Sequence, residues 1–430
     1  MNLPAPYRYT PLTSADARRL WEFEHWAFPS TVNLDLQSQT PYPVAPERMR
    51  AVVAGEDEQI VANFGSHPFA RFPVPGGELP TGGLTNVGVH PAHRRRGLLR
   101  AMIADHFAET VTRSEALSVL FAAESSIYGR FGYGVASRDV RVTVPRGAAL
   151  RSQLADFLPD DDSALTVRIE TRSAAHNDII DAVHAGAGQN VGGTGLNRPG
   201  WVTRQTPELH ALWHDLTELD PNAEAQRIVI VERSGVPVGY TTLRRKSQWS
   251  PAGPTGEVNA GEVVALDPAA SRKLWQVILD LDLTSKTTAF MIPTDDPIVN
   301  LLEQVRTVSP TVVDNLWLRI IDLPTALAGR QYQADVSATI AVTDQLLPQN
   351  AGTWQLRASA FGPAEVTRAP ADQSPDFSLD IRDLGAVYLG DASLGELAAA
   401  GLVRVHNPAI FVRASAAFSW PHKPVCSWVF

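Results

Sequence analysis

The residues that decide the fold are NVGVHPAHRRRGLLRAMI, at positions 86–103. Val87 and Val89 are typical of the end of a buried β-strand. Pro91 ends that strand, because proline has no N–H to donate to a sheet ladder. Apolar residues then recur at every fourth position, which predicts an amphipathic helix that begins near Gly97 or Leu98. The predicted stripe, which would face the sheet, consists of Leu99, Ile103, Phe107 and Val111.

The loop before this helix, 94–97, holds three arginines and a glycine. Unpaired N–H groups at a helix N-terminus attract anions, and glycine lets the backbone approach them closely. Arginine adds charge-assisted hydrogen bonds to phosphate oxygens. A solvated basic turn would explain the arginines alone. The complete run of strand, proline, RRRG and helix favours a pyrophosphate site.

The composition limits the classes of protein to consider. The chain has 430 residues, enough for two or three domains, and a net charge of −9. Its single cysteine, Cys426, excludes an intramolecular disulfide and a multi-cysteine metal site. With no apolar run of membrane-spanning length and no secretory pattern, we expect a cytoplasmic protein. The negative charge weakly favours cationic substrates over nucleic acid, unless it serves only solubility.

The pattern V-x-V-x-P-x-x-R-x-x-G is similar to the acetyl-CoA signature of the GNAT superfamily of N-acetyltransferases. In that superfamily the valines flank the thioester and the loop holds the pyrophosphate. The superfamily pattern ends on a small residue, and Leu99 stands there instead. The resemblance implies acetyl-CoA as co-substrate, without a metal, bound by Val87, Val89, Arg94, Arg95, Gly97 and Leu98.

Resemblance to a smaller family accounts for Leu99 at this position. HRRRGLLRAM (93–102), IYGRFGYG (127–134), LWLR (316–319) and LGAVYLG (384–390) are similar to the enhanced intracellular survival (Eis) family of actinobacterial acetyltransferases. The resemblance spans nearly the whole chain. It implies an α/β (α+β) protomer with an active GNAT domain, a degenerate second one and a C-terminal domain like sterol carrier protein type 2. It also implies a homo-hexamer built from two trimers.

Turn-forming clusters divide the chain into three parts, 1–150, 151–312 and 313–430. The acidic stretch 156–163 is interpreted as a connection, and the first two parts share a coarse strand–turn–strand–helix order. In the second part VALDPAASRK (264–273) has a strand, a proline and a helix but no R-x-x-G, so we expect one cofactor site per chain. Strands are predicted at 139–144, 165–169, 227–232, 237–243 and 316–321, and helices at 271–283 and 394–400.

Acetyl transfer to an amine requires a base and an acid. Tyr128 follows a predicted strand, 117–121, where a GNAT fold places its general acid, and the resemblance gives the tyrosine that role. A phenol with a pKa near 10 can reprotonate a thiolate. A tyrosine that only packs is the alternative, and it suits Tyr133 better.

The base is assigned through the resemblance, in which the terminal carboxylate of the chain, here that of Phe430, enters the active site. The tail 427–430 is apolar, which favours a docked terminus. Burial would raise the pKa of this carboxyl and improve it as a base, directly or through a water. A terminus that merely packs on its own domain is the alternative. Some family members have an acidic penultimate residue where this chain has Val429, which puts polycationic aminoglycosides in doubt.

Other candidates are weaker. Glu24, Trp26 and Phe28 lie where GNAT enzymes bind their acceptors and could hold an ammonium group, although an amphipathic helix with one core face explains them equally well. His90 and His93 are interpreted as structural or exposed rather than metal ligands, and Cys426 as a buried, inert thiol. The sequence predicts an N-acetyltransferase acting on an aminoglycoside-like, polyamine or lysine amine. A non-catalytic lipid- or CoA-binding protein is the alternative.

Overall fold

The computed structural model of the chain describes residues 3–29, 33–40, 42–56, 58–151, 165–204, 206, 209–210, 224–308, 310–370 and 372–430. The predicted connection 156–163 lies outside these residues. The described strands are β1 (Arg8–Thr10), β2 (Met49–Ala54), β3 (Gln59–Val74), β4 (Gly77–Val89), β5 (Leu117–Phe121), β6 (Gly134–Val135), β7 (Arg138–Pro145), β8 (Leu165–Thr171), β9 (Arg227–Arg233), β10 (Val236–Lys246), β11 (Trp249–Ser250), β12 (Gly253–Pro254), β13 (Gly256–Ala265), β14 (Thr284–Pro293), β15 (Thr311–Asp314), β16 (Leu316–Ile320), β17 (Val336–Thr343), β18 (Gly352–Ala358), β19 (Ala364–Arg368), β20 (Phe377–Asp380) and β21 (Val403–Val405). The described helices are α1 (Ala17–Ala27), α2 (Leu34–Gln37), α3 (Leu98–Thr112), α4 (Asn177–Gln189), α5 (Pro268–Leu279), α6 (Pro297–Leu301), α7 (Leu323–Ala328), α8 (Ile381–Val387), α9 (Leu394–Ala399) and α10 (Pro408–Phe418).

The first sheet has the strand order β1-β2-β3-β4-β5-β16-β6. Only β4 and β5 pair in parallel, and α3 forms the crossover between them. This helix buries Leu98, Met102 and Phe107 in the core on one side of the sheet. The second sheet, β15-β7-β14-β13-β10-β9-β8, repeats the arrangement, with β13 and β14 as the parallel pair and α5 as the crossover. The predicted similarity in element order is confirmed.

Each of these sheets contains a strand from a neighbouring part of the chain. β7 pairs with β14 and β15 in the second sheet, whereas β16 pairs with β5 and β6 in the first. The predicted boundaries at 150 and 312 place β7 in the first part and β16 in the third. In the structure β7 belongs to the second sheet and β16 to the first. Pairing partners far away in the chain leave no trace in a local pattern. The exchange ties the two sheets together around the site described below.

The C-terminal part has the sheet β19-β18-β17-β20-β21. Helix α10 covers it, with Phe411, Ala414 and Phe418 buried. These residues belong to one hydrophobic cluster with Leu316 and Leu318 of β16, so this core is continuous with that of the first sheet. Across the described ranges, no helix is long and apolar enough to cross a membrane.

The predicted strands and the helix at 394–400 are confirmed, with small differences at their ends. The predicted stripe on α3 is wrong at its last residue, because Val111 is 52% exposed, whereas Leu99 is half-buried and packs against the same core as Ile103 and Phe107. Steps of four residues advance about 400°, so such a stripe drifts off the buried face after three steps. The helix predicted at 271–283 begins earlier, at Pro268, after the capping side chain of Asp267, and ends at Leu279.

Candidate active site

A cavity of about 1280 Å³ opens where β4 and β5 separate. The two strands pair only at 81–83 with 117–119. Beyond that point Val87 and Val89 on β4 line one wall and Phe121 at the end of β5 lines another. Strands that part in this way leave backbone N–H and C=O groups without a sheet partner on the sides that face each other. The lining also includes residues of the second sheet and the last two residues of the chain.

The loop between β4 and α3 has the geometry of an anion site. Arg95 and Gly97 both have positive φ, 61° and 84°, a conformation in which successive N–H groups can converge. Gly97 is the N-cap of α3 and brings no capping side chain, so the first N–H groups of the helix remain available. Arg94 and Arg95 line the cavity together with Arg100 of α3. This set of donors fits the pyrophosphate of acetyl-CoA.

The third arginine of the loop has a different partner. Arg96 Nη1 donates a hydrogen bond of 2.9 Å to the hydroxyl of Tyr7. The same hydroxyl lies 3.0 Å from Nδ1 of His93. Arg96 therefore fastens the loop to the N-terminal segment, while its two neighbours in sequence, Arg94 and Arg95, lie at the cavity.

Tyr128 lines the cavity from the turn that follows β5. The residue is 8% exposed, and its ring meets that of Tyr133 edge to face at 5.9 Å. Burial, with a smaller contribution from Glu124, raises the pKa of Tyr128 to about 12. The hydroxyl therefore stays protonated throughout the physiological range. Tyr133 is fully buried and its hydroxyl lies 2.8 Å from Ser118 Oγ, so it has the packing role that the sequence favoured.

Phe430 also lines the cavity, with its ring anchored in the core. The residue is 8% exposed, and its ring centroid lies 4.9 Å from that of Phe69 and 5.1 Å from that of Phe121. Val429, which precedes it, is 57% exposed and lies at the cavity as well. Tyr128 and Phe430, the two residues predicted to be catalytic, therefore line the same cavity.

The tail before Phe430 is held by backbone and side-chain hydrogen bonds. Cys426 N donates to Asn315 Oδ1 at 2.8 Å, and Asn315 Nδ2 donates back to the carbonyl of Cys426 at 3.1 Å. Trp428 Nε1 donates to the carbonyl of Val202 at 2.8 Å, and the guanidinium of Arg204 lies 4.6 Å from the Trp428 ring. The terminus is thus seated on the second sheet and its loops.

A buried polar cluster completes this anchor. Ser427 Oγ donates to Glu262 Oε1 at 2.9 Å and lies 2.9 Å from His184 Nε2. Arg204 forms a two-pronged ion pair with Glu262 at 3.2 and 3.3 Å. Burial opposes the charge of Glu262, but Arg204, His184 and Ser427 outweigh it and hold the pKa of this carboxyl below its ordinary value. The cluster therefore contains a charged, paired carboxylate at neutral pH.

The far wall of the cavity belongs to the second sheet, and its residues were not predicted from the sequence. Asp139 and Arg141 of β7, Phe290 and Met291 of β14, and Val313 to Asn315 line this wall. These positions come from three segments, and nothing local marks them. The alternation along β7, with Val140 and Val142 buried in the second core, was the one available signal.

The three residues predicted to bind the acceptor amine lie in different surroundings. Phe28 lines the cavity. Glu24 is buried on α1, where it accepts hydrogen bonds from the Tyr42 hydroxyl and Asn86 Nδ2. Trp26 is 63% exposed and its ring lies 5.3 Å from that of His90. Only Phe28 thus stands among the cavity residues.

The equivalent helix start in the second sheet is closed to phosphate. Asp267 caps α5 by accepting a hydrogen bond of 3.0 Å from Ala270 N. Its carboxylate also accepts from Arg233 at 2.7 Å. A carboxylate therefore already occupies the place where the first domain offers free N–H groups, and it repels a second anion.

The weaker candidates have structural surroundings. Cys426 is fully buried, and burial raises the pKa of its thiol to about 12. His90 accepts a hydrogen bond from Ala92 N at 3.2 Å in the turn that follows β4. In the part of the chain that the structure describes, no group of three His, Cys, Asp or Glu side chains could hold a metal ion.

Comparison with family models agrees with this architecture. Models described as acetyltransferase (GNAT) domains match residues 8–136 and 200–320, and a sterol carrier protein domain model matches 323–427. Two GNAT-type sheets, one of which carries an open anion loop beside a cavity, define a tandem-GNAT acetyltransferase.

Known relatives narrow the class. A Streptomyces avermitilis protein named as an uncharacterized N-acetyltransferase is 36% identical over 86% of this chain and 87% of its own length. The N-acetyltransferase Eis of Mycobacterium tuberculosis is 31% identical over 81% of each chain. The crystal structure of Eis1 from Mycobacterium abscessus matches with a TM-score of 0.78 and 27% identity over 99% of this chain and 100% of that one. The chain belongs to the Eis family of GNAT N-acetyltransferases.

Proposed function

We propose that this enzyme transfers the acetyl group of acetyl-CoA directly to a primary amine bound in the same cavity. The observation that carries the proposal is convergence: one cavity is lined by the anion loop, Tyr128 and Phe430, which are far apart in sequence. Direct transfer needs the acyl donor and the amine in one complex, because it replaces an encounter in solution by contact within the site. When bound, acetyl-CoA supplies a thioester-activated acetyl group.

The residues proposed to hold acetyl-CoA are Val87, Val89, Arg94, Arg95, Gly97 and Leu98, all of which line the cavity. Arg94, Arg95 and the helix N-terminus neutralise the pyrophosphate. The backbone of Val87 and Val89 runs beside the pantetheine arm and the acetyl group. Arg100, which was not predicted from the sequence, also lines the cavity and adds a third cation to the proposed phosphate site.

The terminal carboxylate of Phe430 is the proposed base. An alkylamine with a pKa near 10 is only about 0.1% neutral at pH 7, so removing its proton costs about 4 kcal/mol. The buried ring fixes the terminal residue, and its presence in the cavity wall supports a carboxylate that points toward the amine. Partial burial would raise the pKa of this carboxyl from near 3.5 and improve it as a base, directly or through a water.

Tyr128 is the proposed acid. Its hydroxyl gives a proton to the thiolate of coenzyme A as the carbon–sulfur bond breaks. A phenol with a pKa of about 12 is a weak proton donor to a thiolate whose conjugate thiol has an ordinary pKa near 8.5. The leaving thiolate lies in the same buried surroundings, however, and burial raises the pKa of a thiol for the same reason. Desolvation of both partners therefore reduces the difference between their pKa values.

The non-catalytic lipid carrier has little support. Helix α10 covers the sheet of the carrier-like domain with buried Phe411 and Phe418. The tail that follows leaves this domain and ends at the cavity between the two GNAT-type sheets. Recovery of stoichiometric lipid from the purified protein, without acetyl-CoA affinity, would reverse this conclusion.

Assembly and location are also proposals. Membership in the Eis family supports a homo-hexamer of two trimers that acts in the cytoplasm. Light scattering tests the assembly, since a hexamer has six times the mass of the chain. A mass near that of one chain would reject the proposed assembly without affecting the proposed chemistry.

The deciding experiment measures thiol release from acetyl-CoA with no acceptor and with an aminoglycoside, a polyamine, an arylalkylamine and a lysine peptide. We expect release that depends on an acceptor amine, with acetylated product confirmed by mass spectrometry. Acetyl-CoA binding without release for any amine would contradict the proposed reaction. Release without any acceptor would indicate hydrolysis instead.

A further inference from the structure

The wall that the second sheet contributes has an unusual local geometry. Along β7, Asp139 and Arg141 line the cavity while Val140 and Val142, which alternate with them, are buried in the core behind. On β14 both Phe290 and Met291 line the cavity, although consecutive strand residues normally point to opposite faces. An irregular register between β7 and β14 explains this exception.

A β-bulge stands opposite Arg141. Val142 pairs with Ala289 and Val140 with Ile292, so two residues of β14 face one residue of β7. Met291 adopts a left-handed conformation with φ of 58°. Such a backbone is strained for a side chain of this size, and bulges beside active sites re-aim side chains. The bulge here turns two large apolar side chains toward one cavity.

The chemistry of this wall is mixed, with a large apolar part. Phe290 is 49% exposed, Val429 57% and Phe28 37%, and all three line the same cavity. Single exposed apolar residues are ordinary, but several that converge on one cavity mark a binding surface. Asp139 and Asp314 bring two carboxylates to this wall, but the Asp139 carboxylate accepts a hydrogen bond from Asn315 Nδ2 and interacts with the nearby guanidinium of Arg141. The wall therefore offers little net negative charge for a substrate with many ammonium groups.

We propose that Phe290, Met291, Val313 and Val429 form an acceptor subsite for a primary amine carried on an apolar or aromatic body, with a single positive charge. The proposal rests on the proposed acetyltransferase function and names its substrate class. The amine is placed near the base and the body packs on the bulge. At this subsite the second ammonium group of a polyamine would meet apolar side chains, with the guanidinium of Arg141 close to the carboxylates of the same wall.

The test compares kcat/KM for acetylation of 2-phenylethylamine, ethylamine and spermidine by the full-length enzyme. Burial of a phenyl ring against this wall should raise kcat/KM for 2-phenylethylamine over ethylamine by about tenfold to a hundredfold. We expect spermidine to be a poorer substrate than 2-phenylethylamine. Equal or higher kcat/KM for ethylamine or spermidine overturns the subsite while the acetyltransferase function stands. Transfer to none of the three overturns the subsite, and the acetyltransferase function falls with it only if the aminoglycoside and the lysine peptide also give no acetylated product.

Two variants locate the effect. Phe290→Ala should lower the ratio of kcat/KM for 2-phenylethylamine to that for ethylamine by about tenfold. Val312→Ala is the matched control: Val312 is 56% exposed on β15, next to Val313, and is not among the lining residues. The control should leave the ratio within about twofold of the original. A ratio that Phe290→Ala leaves unchanged, or that both variants change alike, overturns the proposal.

Discussion

Ser427 Oγ donates a hydrogen bond of 2.9 Å to Glu262 Oε1, and this contact joins the chain terminus to β13 of the second sheet. Glu262 lies beyond the point where β13 and β14 stop pairing, which is at Ala260 and Ala289. The second GNAT-type sheet, in which Asp267 caps the equivalent helix start, thus holds the tail that ends at the candidate active site of the first. We infer that positioning the terminal residue is the task of this sheet.

Ser427→Ala should reduce kcat more than it reduces acetyl-CoA affinity. The change removes a hydrogen bond to a charged group, worth about 1.5–3 kcal/mol, and loosens the tail that ends in the proposed base. Steady-state kinetics should show kcat about tenfold lower with the KM for acetyl-CoA nearly unchanged, and Ser427→Thr should restore much of the loss. Ser393→Ala is the control, because Ser393 caps α9 in the C-terminal part. If both alanine variants lower kcat equally, Ser427 has only a role in stability.

Tyr128→Phe should lower kcat by about 10²- to 10⁴-fold, the usual range for a lost proton donor. The ring keeps its place, so folding and acetyl-CoA binding should be retained. Tyr133→Phe is the matched change in the same turn, since it also removes one buried hydroxyl. It should affect the melting temperature more than kcat. Near-normal turnover by Tyr128→Phe would reject the proposed acid.

Two glycines added after Phe430 should abolish most turnover. The extension moves the terminal carboxylate away from the cavity, although the Phe430 ring can keep its contacts with Phe69 and Phe121. We expect kcat to fall by at least about a hundredfold, as for loss of a general base. The same two residues added at the N-terminus serve as the control. Full activity of the C-terminally extended chain would show that the carboxylate is not the base.

Replacing Arg94 and Arg95 together by alanine should raise the KM for acetyl-CoA. Each charge-assisted contact with phosphate contributes about 1.5–3 kcal/mol, so a rise of at least about tenfold is expected. Replacing Arg404 and Arg413 together by alanine removes two exposed charges from the C-terminal part and is the control for net charge. The double variant should bind dephosphorylated pantetheine thioesters as well as the original enzyme does. An unchanged KM for acetyl-CoA would move the pyrophosphate away from this loop.

Acidification below pH 6.5 should destabilise the fold. Burial lowers the pKa of His67 and of His106 to about 3 and that of His184 to about 4. The unfolded chain binds these protons near pH 6.5 while the folded chain does not, so stability falls as the pH decreases. The loss is about 1.4 kcal/mol per histidine per pH unit until the folded pKa is reached.

The measurement is the melting temperature at pH 7.5 and 5.5. His106→Gln removes one titrating group and can keep a hydrogen bond to Ser118, which lies 2.7 Å from His106 Nε2. This variant should therefore show a smaller decrease between the two pH values than the original chain. Equal melting temperatures of the original chain at both pH values would show that these histidines are not held neutral.

The sequence alone determined the features that depend on neighbours in the chain. The strand end, the R-x-x-G loop and the start of α3 all lie within 86–103, where dihedral preferences, glycine and helix capping act locally. The absence of an R-x-x-G loop at 264–273 was predicted from the sequence in the same way. Tyr128 and Phe430 were predicted to share one site only through the family resemblance, because no local pattern brings two such distant residues together.

Only the tertiary structure decided what pairs with what. The exchange of β7 and β16 between the sheets, the bulge opposite Arg141 and the seat of Ser427 on Glu262 join residues more than a hundred positions apart. Such contacts arise because folding buries apolar surface wherever two segments fit together. The entropy cost of closing the loop between the segments grows only slowly with the number of residues that separate them. The local sequence therefore determined the loop proposed to bind acetyl-CoA, and the packing of distant strands determined the opposite wall, where the acceptor is proposed to bind.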